Sequence, residues 1–411
     1  MKPLCPAAVF FALFGAEISS AQYPLAPEAV ERAAGAFHPN AAERILSCAV
    51  HPLAPALTYR LIYRAGYNVV VPAEQLTEAP RRIDVLVRVT PKQGGAEPLL
   101  LKDSGTLPSG PEDQDRAVSK FEAQVRGGFY LGEGEYRVEL VAIGGGGRVC
   151  RKQWDVDLKP RKGVRGGLAP GRVAALSQIG LPRLGEGAAS LTVLLHAGAA
   201  KESPLLLQSL AAILDRIPFR RVRVVVFSLE QHKELLRQEV TDQAGFGRVA
   251  EAVGNYNPAV VSYGVLRDPA GHRDFLWQLL AKEGLRAPPS DAVLFLGQST
   301  LDDTHMFVPP ACAEGSQKTP YVYFEYAYPG RVRSRMPGAG PGRRRVSQMP
   351  DILQPAPDAW PDLPQPGSML PVLPDAIARV TRACAGKVYA IYSPADLISA
   401  IEKTGAMLSR R

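Results

Sequence analysis

Between residues 46 and 160 the apolar positions recur every second residue. Ile83, Val85, Val87 and Val89 alternate with Arg82, Asp84, Leu86 and Arg88. Tyr136, Val138, Leu140 and Ala142 alternate with Glu135, Arg137, Glu139 and Val141, and Trp154, Val156 and Leu158 with Asp155 and Asp157. A strand with one face in a core has this period. The glycine run at 144–147 separates two such strands as a hairpin turn. Several strands without a long helix predict a β-sandwich over 46–160, preceded by an extension over 22–45 with a short helical pattern at 27–36.

After a Gly-, Arg- and Pro-rich linker at 161–187, the period lengthens. A buried strand at 191–195 leads to a helix that Ser203 caps and Pro204 opens, carrying Leu206, Leu210, Ile213, Leu214 and Ile217 at helical spacing. Further strands are predicted at 222–227, 259–263, 291–296, 321–324 and 387–392, and helices near 231–239, 245–253, 273–282, 374–384 and 394–407. Trp277, Leu279 and Leu280 read as helix core. Strands alternating with helices mean a doubly wound, mostly parallel sheet over 188–407, covered on both faces. An insertion at 329–374 is Pro-rich and aperiodic, which predicts an irregular loop.

Composition sharpens this picture at few points. The 411 residues suit two domains, and 46% hydrophobic residues exclude a disordered chain. The net charge of +8 matters where it clusters. Arg331, Arg333, Arg335, Arg343, Arg344 and Arg345 do cluster, with no acidic residue from 329 to 350. They form either a polyanion-binding loop or a solvated one, and without interleaved aromatics they do not suit single-stranded nucleic acid.

Residues 1–21 carry Lys2, an apolar stretch at 4–15 and Ser19, Ser20 and Ala21, which reads as a signal peptide or else as a buried N-terminal helix. No later run approaches a membrane span. The predicted location is therefore secreted or periplasmic. Cys5 leaves with the signal, and Cys48, Cys150, Cys312 and Cys384 remain for an oxidising compartment. Four cysteines allow three connectivities or four buried thiols. The domain layout favours Cys48 with Cys150 and Cys312 with Cys384.

Ligands of doubly wound sheets bind beyond the carboxyl ends of the strands. That edge would present His196, Ser228, Gln298 and Ser299, with Glu325 and Tyr392 nearby, as a partner-binding face or as ordinary polar loop ends. Asp302, Asp303 and His305 follow the fourth strand, and with His196 they suit either a mixed carboxylate–imidazole site or a solvated turn. There is no Gly-x-Ser-x-Gly elbow, no phosphate-cradling glycine loop, no His-Glu-x-x-His and no Cys-x-x-Cys.

The strand at 191–195, the helix opened by Ser203 and Pro204, the strand ending Val226, Phe227, Ser228, the late strand at 293–296 and the closing run 386–400 together resemble a von Willebrand factor type A domain. The run Gly271, His272, Arg273, Asp274, Phe275 resembles divergent exported bacterial versions of it. Gly134, Glu135, Tyr136, Arg137 and Val138 resemble an immunoglobulin-like module. The first resemblance implies a divalent-cation adhesion site of Asp, Ser and Ser after the first strand. His196, Gly198 and Ala200 stand there instead, and Gly297, Gln298 and Ser299 replace the later carboxylate. The site is thus degenerate, and no metal or other cofactor is expected. The sequence reads as an exported non-catalytic protein binding a protein or an anionic glycan at the cell envelope, with no nucleic acid as partner. The alternative is a hydrolase or metal-dependent enzyme using His196, Asp302 and His305.

Overall fold

The computed structural model describes residues 23–24, 33–39, 43–76, 82–93, 97–106, 122–159, 167–176, 184–185, 187–198, 203–268, 271–284, 289–298, 319–326 and 375–409. Ser299, Asp302, Asp303, His305, Cys312 and the arginine run 331–345 lie outside them, as do the signal segment and all of the 329–374 insertion.

The period-two region folds as two antiparallel sheets. One holds β1 (Tyr23–Pro24), β5 (Leu99–Thr106), β4 (Arg82–Pro91), β7 (Gly134–Ile143) and β8 (Val149–Leu158), in that order. The other holds β2 (Ala49–Leu57), β3 (Tyr63–Pro72), β6 (Glu122–Leu131) and β9 (Val173–Ala175). Alternate residues of both, including Tyr67, Val69, Val85, Val87, Phe129, Tyr136 and Val138, form one core between them. The Tyr136 hydroxyl is buried and donates to the Gly132 carbonyl at 2.7 Å, a short corner that fixes the β6–β7 turn. Burial pushes this phenol up to about 12, opposed by a backbone hydrogen bond from Gly171. Arg88 and Glu139 face each other across β4 and β7 in a bidentate pair at 2.7 and 2.8 Å. Edge strand β2 carries Pro52 and Pro55 and a register shift between Leu53 and Ala56, which blunt it against further pairing.

Two expectations change here. The 161–187 segment is not only a linker, because β9 within it pairs with β6 and completes the second sheet. Leu86 and Val141, which alternation assigns to a solvent face, are buried under Phe37 from the N-terminal extension. Arg88 sits 4.6 Å over the Phe37 ring, and Arg151 binds the Ala36 carbonyl and Glu43 to hold the extension down. Cys48 and Cys150 form a disulfide with Cα atoms 6.2 Å apart. Cys384 is also disulfide-bonded, to a sulfur outside the described residues.

The C-terminal sheet has the order β12 (Lys233–Val240), β11 (Phe219–Ser228), β10 (Ala189–His196), β13 (Ala292–Gln298), β14 (Tyr321–Tyr326), β15 (Lys387–Ile391). All neighbours are parallel except β12, which runs antiparallel to β11. Helices α1 (Ser203–Arg216), α2 (Gln243–Gly254) and α6 (Pro394–Leu408) cover one face. The other is covered by α4 (Gly271–Gly284) and α5 (Ala376–Ala383). The short α3 (Tyr263–Arg267) lies between α2 and α4 in the chain. The expected doubly wound sheet is present, with strand order reversing between β10 and β13.

The helix expected at 231–239 is the edge strand β12. Its adjacent Leu235 and Leu236 mimic a helical stripe, but the open edge of β11 recruits the segment as a pairing partner. The strand expected at 259–263 does not form. The sheet edges are taken by β12 and β15, and these residues are a surface loop leading into α3.

The two units meet through the β2–β3 turn. Leu61 sits there at φ 59, buried, and joins the core formed by α1, α6 and the sheet. Beside it Arg60 pairs with Asp215, the Tyr59 hydroxyl donates to the Tyr392 carbonyl at 3.1 Å, and the Tyr59 and Tyr326 rings pack edge to face at 5.7 Å.

Candidate functional site

The carboxyl ends of β10 and β11 bring His196 and Ser228 side by side, both fully buried. They do not bond each other. Both reach Glu230, which the β11–β12 turn lifts over the strand ends. His196 Nε2 lies 3.2 Å from Glu230 Oε2, Ser228 Oγ donates to the same oxygen at 3.0 Å, and the Tyr256 hydroxyl lies at 3.4 Å. Ser228 Oγ is further engaged by the Tyr256 hydroxyl at 2.8 Å and accepts the Gln231 backbone N–H at 3.1 Å. An ionised carboxylate only accepts, so His196 carries its proton on Nε2.

Glu230 is half exposed as a side chain, but Oε2 faces inward. Burial pushes its carboxyl up. The hydrogen bond and charge of His196, its backbone N–H and the Ser228 hydroxyl outweigh this and hold it at about 2, against an ordinary 4.5. Burial likewise raises the Tyr256 phenol.

At the ends of β10 and β13, His196 Nδ1 and Gln298 Nε2 are buried without a partner among the described residues. They close the neighbouring strands β10 and β13, at the point where strand order reverses. Gln298 does not join the Glu230 cluster. Strand alternation puts it on the side of Leu296 and Tyr326, opposite to His196, which packs on Phe227 at 5.3 Å. Its carbonyl accepts the Tyr323 hydroxyl at 2.8 Å.

The turn at 229–232 is a hub of three consecutive side chains. Glu230 ties β10 and α2's end, and Gln231 Nε2 donates to the Asn257 and Val260 carbonyls, both at 2.8 Å. His232 adopts φ 47 and packs against Gly271, where an added β-carbon would come within 2.6 Å of its ring; the His272 ring lies 6.4 Å away. Burial lowers the His232 pKa, opposed by Asp268 and reinforced by His272. No group of three or more His, Cys, Asp or Glu among the described residues is placed to hold a metal ion.

His196 and Ser228 were legible as strand-end residues. Glu230 and Tyr256 were missed. The only signal for Glu230 is its position two residues past the end of a strongly apolar strand.

No protein-family model matches the chain, and no curated protein matches it by sequence. Among solved structures it is similar to a von Willebrand factor type A protein from Catenulispora acidiphila, at 11% identity and a TM-score of 0.28, over 68% of this chain and 47% of that one. The chain thus spans about half the length of that protein.

Proposed function

We propose that the protein is an exported, non-catalytic binding protein of the cell envelope: an immunoglobulin-like sandwich followed by a von Willebrand factor A-like domain whose cation-adhesion site is degenerate. The observation that carries this reading is the pairing state of the strand-end edge. The Ser228 hydroxyl is buried and bonded to a carboxylate rather than to the imidazole, so it is not arranged as a nucleophile. His196 Nδ1 and Gln298 Nε2, buried on opposite sides of the sheet, keep unused hydrogen-bonding capacity at this edge. Export is supported by the Cys48–Cys150 disulfide. Among the described residues no helix is long and apolar enough to cross a membrane. We assign Cys312 as the partner of Cys384.

The partner is a protein or an anionic glycan, the latter held by Arg343, Arg344 and Arg345 of the basic run. Binding of the full chain to arrayed envelope proteins and sulfated glycans tests this. A partner whose binding weakens at least ~10-fold with Gln298→Leu, the size of about one lost buried hydrogen bond, supports the strand-end face. Loss of glycan binding on replacing the three arginines by Ser supports the basic run. Turnover of an ester, peptide or glycoside by the chain, abolished in His196→Ala, would replace the reading with an enzyme.

A further inference from the structure

The sheet of β2, β3, β6 and β9 turns one face away from the sandwich core. Tyr63, Ala65, Tyr67, Val69, Val125 and Phe129 point inward, so alternation sends Arg64, Gly66, Asn68, Gly128 and Tyr130 outward. The register sorts these into rows. Arg64 stands opposite Tyr130, Gly66 opposite Gly128, and Asn68 opposite Arg126.

The Arg64 guanidinium lies flat on the glycine row, because a β-carbon at Gly128 would come within 2.8 Å of its Nε. The side chain is half-buried, and burial lowers its pKa, opposed by Tyr130. No carboxylate among the described residues pairs with it. Asp215 is taken by Arg60, which also acts on Tyr130. The four strands contain one carboxylate, Glu122, opposite Pro72 at the far end of the sheet. That is about 27 Å from Arg64 at the rise of a strand, well beyond a Debye length of ~8–10 Å. A desolvated charge is normally paired, so the missing counter-ion points to a ligand. Burial raises the Tyr130 phenol, opposed by Arg64 and Arg60, which keeps an O–H donor beside the guanidinium. Two rows on, about 14 Å from Arg64, Asn68 Oδ1 is buried without a partner among the described residues. It is an acceptor in need of a donor, and Gly66 and Gly128 leave the row between bare of side chains.

We propose that this face holds a short acidic oligosaccharide. Its carboxylate or sulfate group meets the Arg64 guanidinium and the Tyr130 hydroxyl, a sugar ring lies over the glycine row, and a sugar hydroxyl donates to Asn68 Oδ1. A free anion would fill the Arg64 end and leave Asn68 unmet. A protein partner would need an apolar centre, and Leu53 is the one large exposed apolar residue of this sheet among the described residues. The inference rests on the anionic-glycan branch of the function proposed above, but on a different site from the basic run.

The experiment is titration calorimetry with trigalacturonate, a heparin tetrasaccharide and neutral maltotriose. It uses the parent and the full chain carrying Arg343→Ser/Arg344→Ser/Arg345→Ser, in which the basic run cannot supply the signal. This chain should bind an acidic probe and ignore maltotriose, and the probe it prefers tells carboxylate from sulfate. Adding Arg64→Gln should weaken that binding at least ~10-fold, the size of one hydrogen bond to a charged group, and Asn68→Ala about fivefold. Arg64→Gln should leave the melting temperature equal or higher, since it removes a desolvated charge that no carboxylate offsets. A lower melting temperature with unchanged glycan binding would make Arg64 structural and overturn the proposal. Acidic probes that bind the parent but not the triple-Ser chain would also overturn it, while leaving the basic run as the glycan site. Probes that bind neither chain would remove the glycan branch itself.

Discussion

Gly297 lies so close to His196 that a β-carbon placed on it would stand 2.7 Å from the histidine's own β-carbon. Strands β10 and β13 can therefore meet at their carboxyl ends only with glycine at this position. Gly297→Ala should force the strand ends apart or turn His196 away from Glu230, an overpacking cost of about 1–3 kcal/mol. Thermal denaturation checks it. A melting temperature equal to the parent's would mean that the edge yields without strain.

Glu230 makes stability depend on pH. Its carboxyl is held at about 2 in the folded chain and returns to about 4.5 on unfolding, so the unfolded state binds the proton more readily. A depressed carboxyl contributes stability that is fully present above 4.5 and is lost as pH falls toward 2. Urea denaturation between pH 7 and pH 2 should show the parent losing more stability than Glu230→Gln over that window. Parallel curves would show that His196 does not hold the carboxylate in its charged form.

The disulfide between Cys48 and Cys150 ties the entry to β2 to strand β8 across a sequence separation of 102 residues. In the chain-entropy account such a closure stabilises by about 4–5 kcal/mol. Cys48→Ser/Cys150→Ser should lower the sandwich's melting temperature by roughly 10–20 °C, as should a reducing agent. Peptide mapping of the same sample tests the pairing of Cys384 with Cys312.

Much of this architecture was legible, and the failures share a physical cause. The inner faces of β4, β7 and β8 announced themselves because the sandwich core takes alternate residues of each strand. Leu86 and Val141 did not, because their cover, Phe37, comes from a segment some fifty residues or more away and no local period records it. The residues of β12 looked helical because their pairing is dictated by the edge of β11 and not by their own pattern. His196 and Ser228 were found by where strands end. Glu230 and Tyr256 were not, since a lone acidic residue in a turn and a tyrosine after a helix carry no spacing that signals convergence on one oxygen.

Leu61 makes the last prediction. Its side chain belongs to the core of the α/β unit although its backbone belongs to the sandwich, and it holds a left-handed φ of 59 to get there. A branched side chain in that conformation is disfavoured by roughly 1–2 kcal/mol, so the burial must outweigh it. Leu61→Ala keeps the unfavourable backbone and removes the burial, at a cost of about 2–5 kcal/mol. It also leaves Arg60 and Tyr59 as the remaining side-chain ties to Asp215, Tyr392 and Tyr326 from this turn. Calorimetry should show one joint transition for the parent. In Leu61→Ala the α/β unit should melt first and apart from the disulfide-closed sandwich. A single transition shifted as a whole would mean that the two units are coupled by contacts other than this turn.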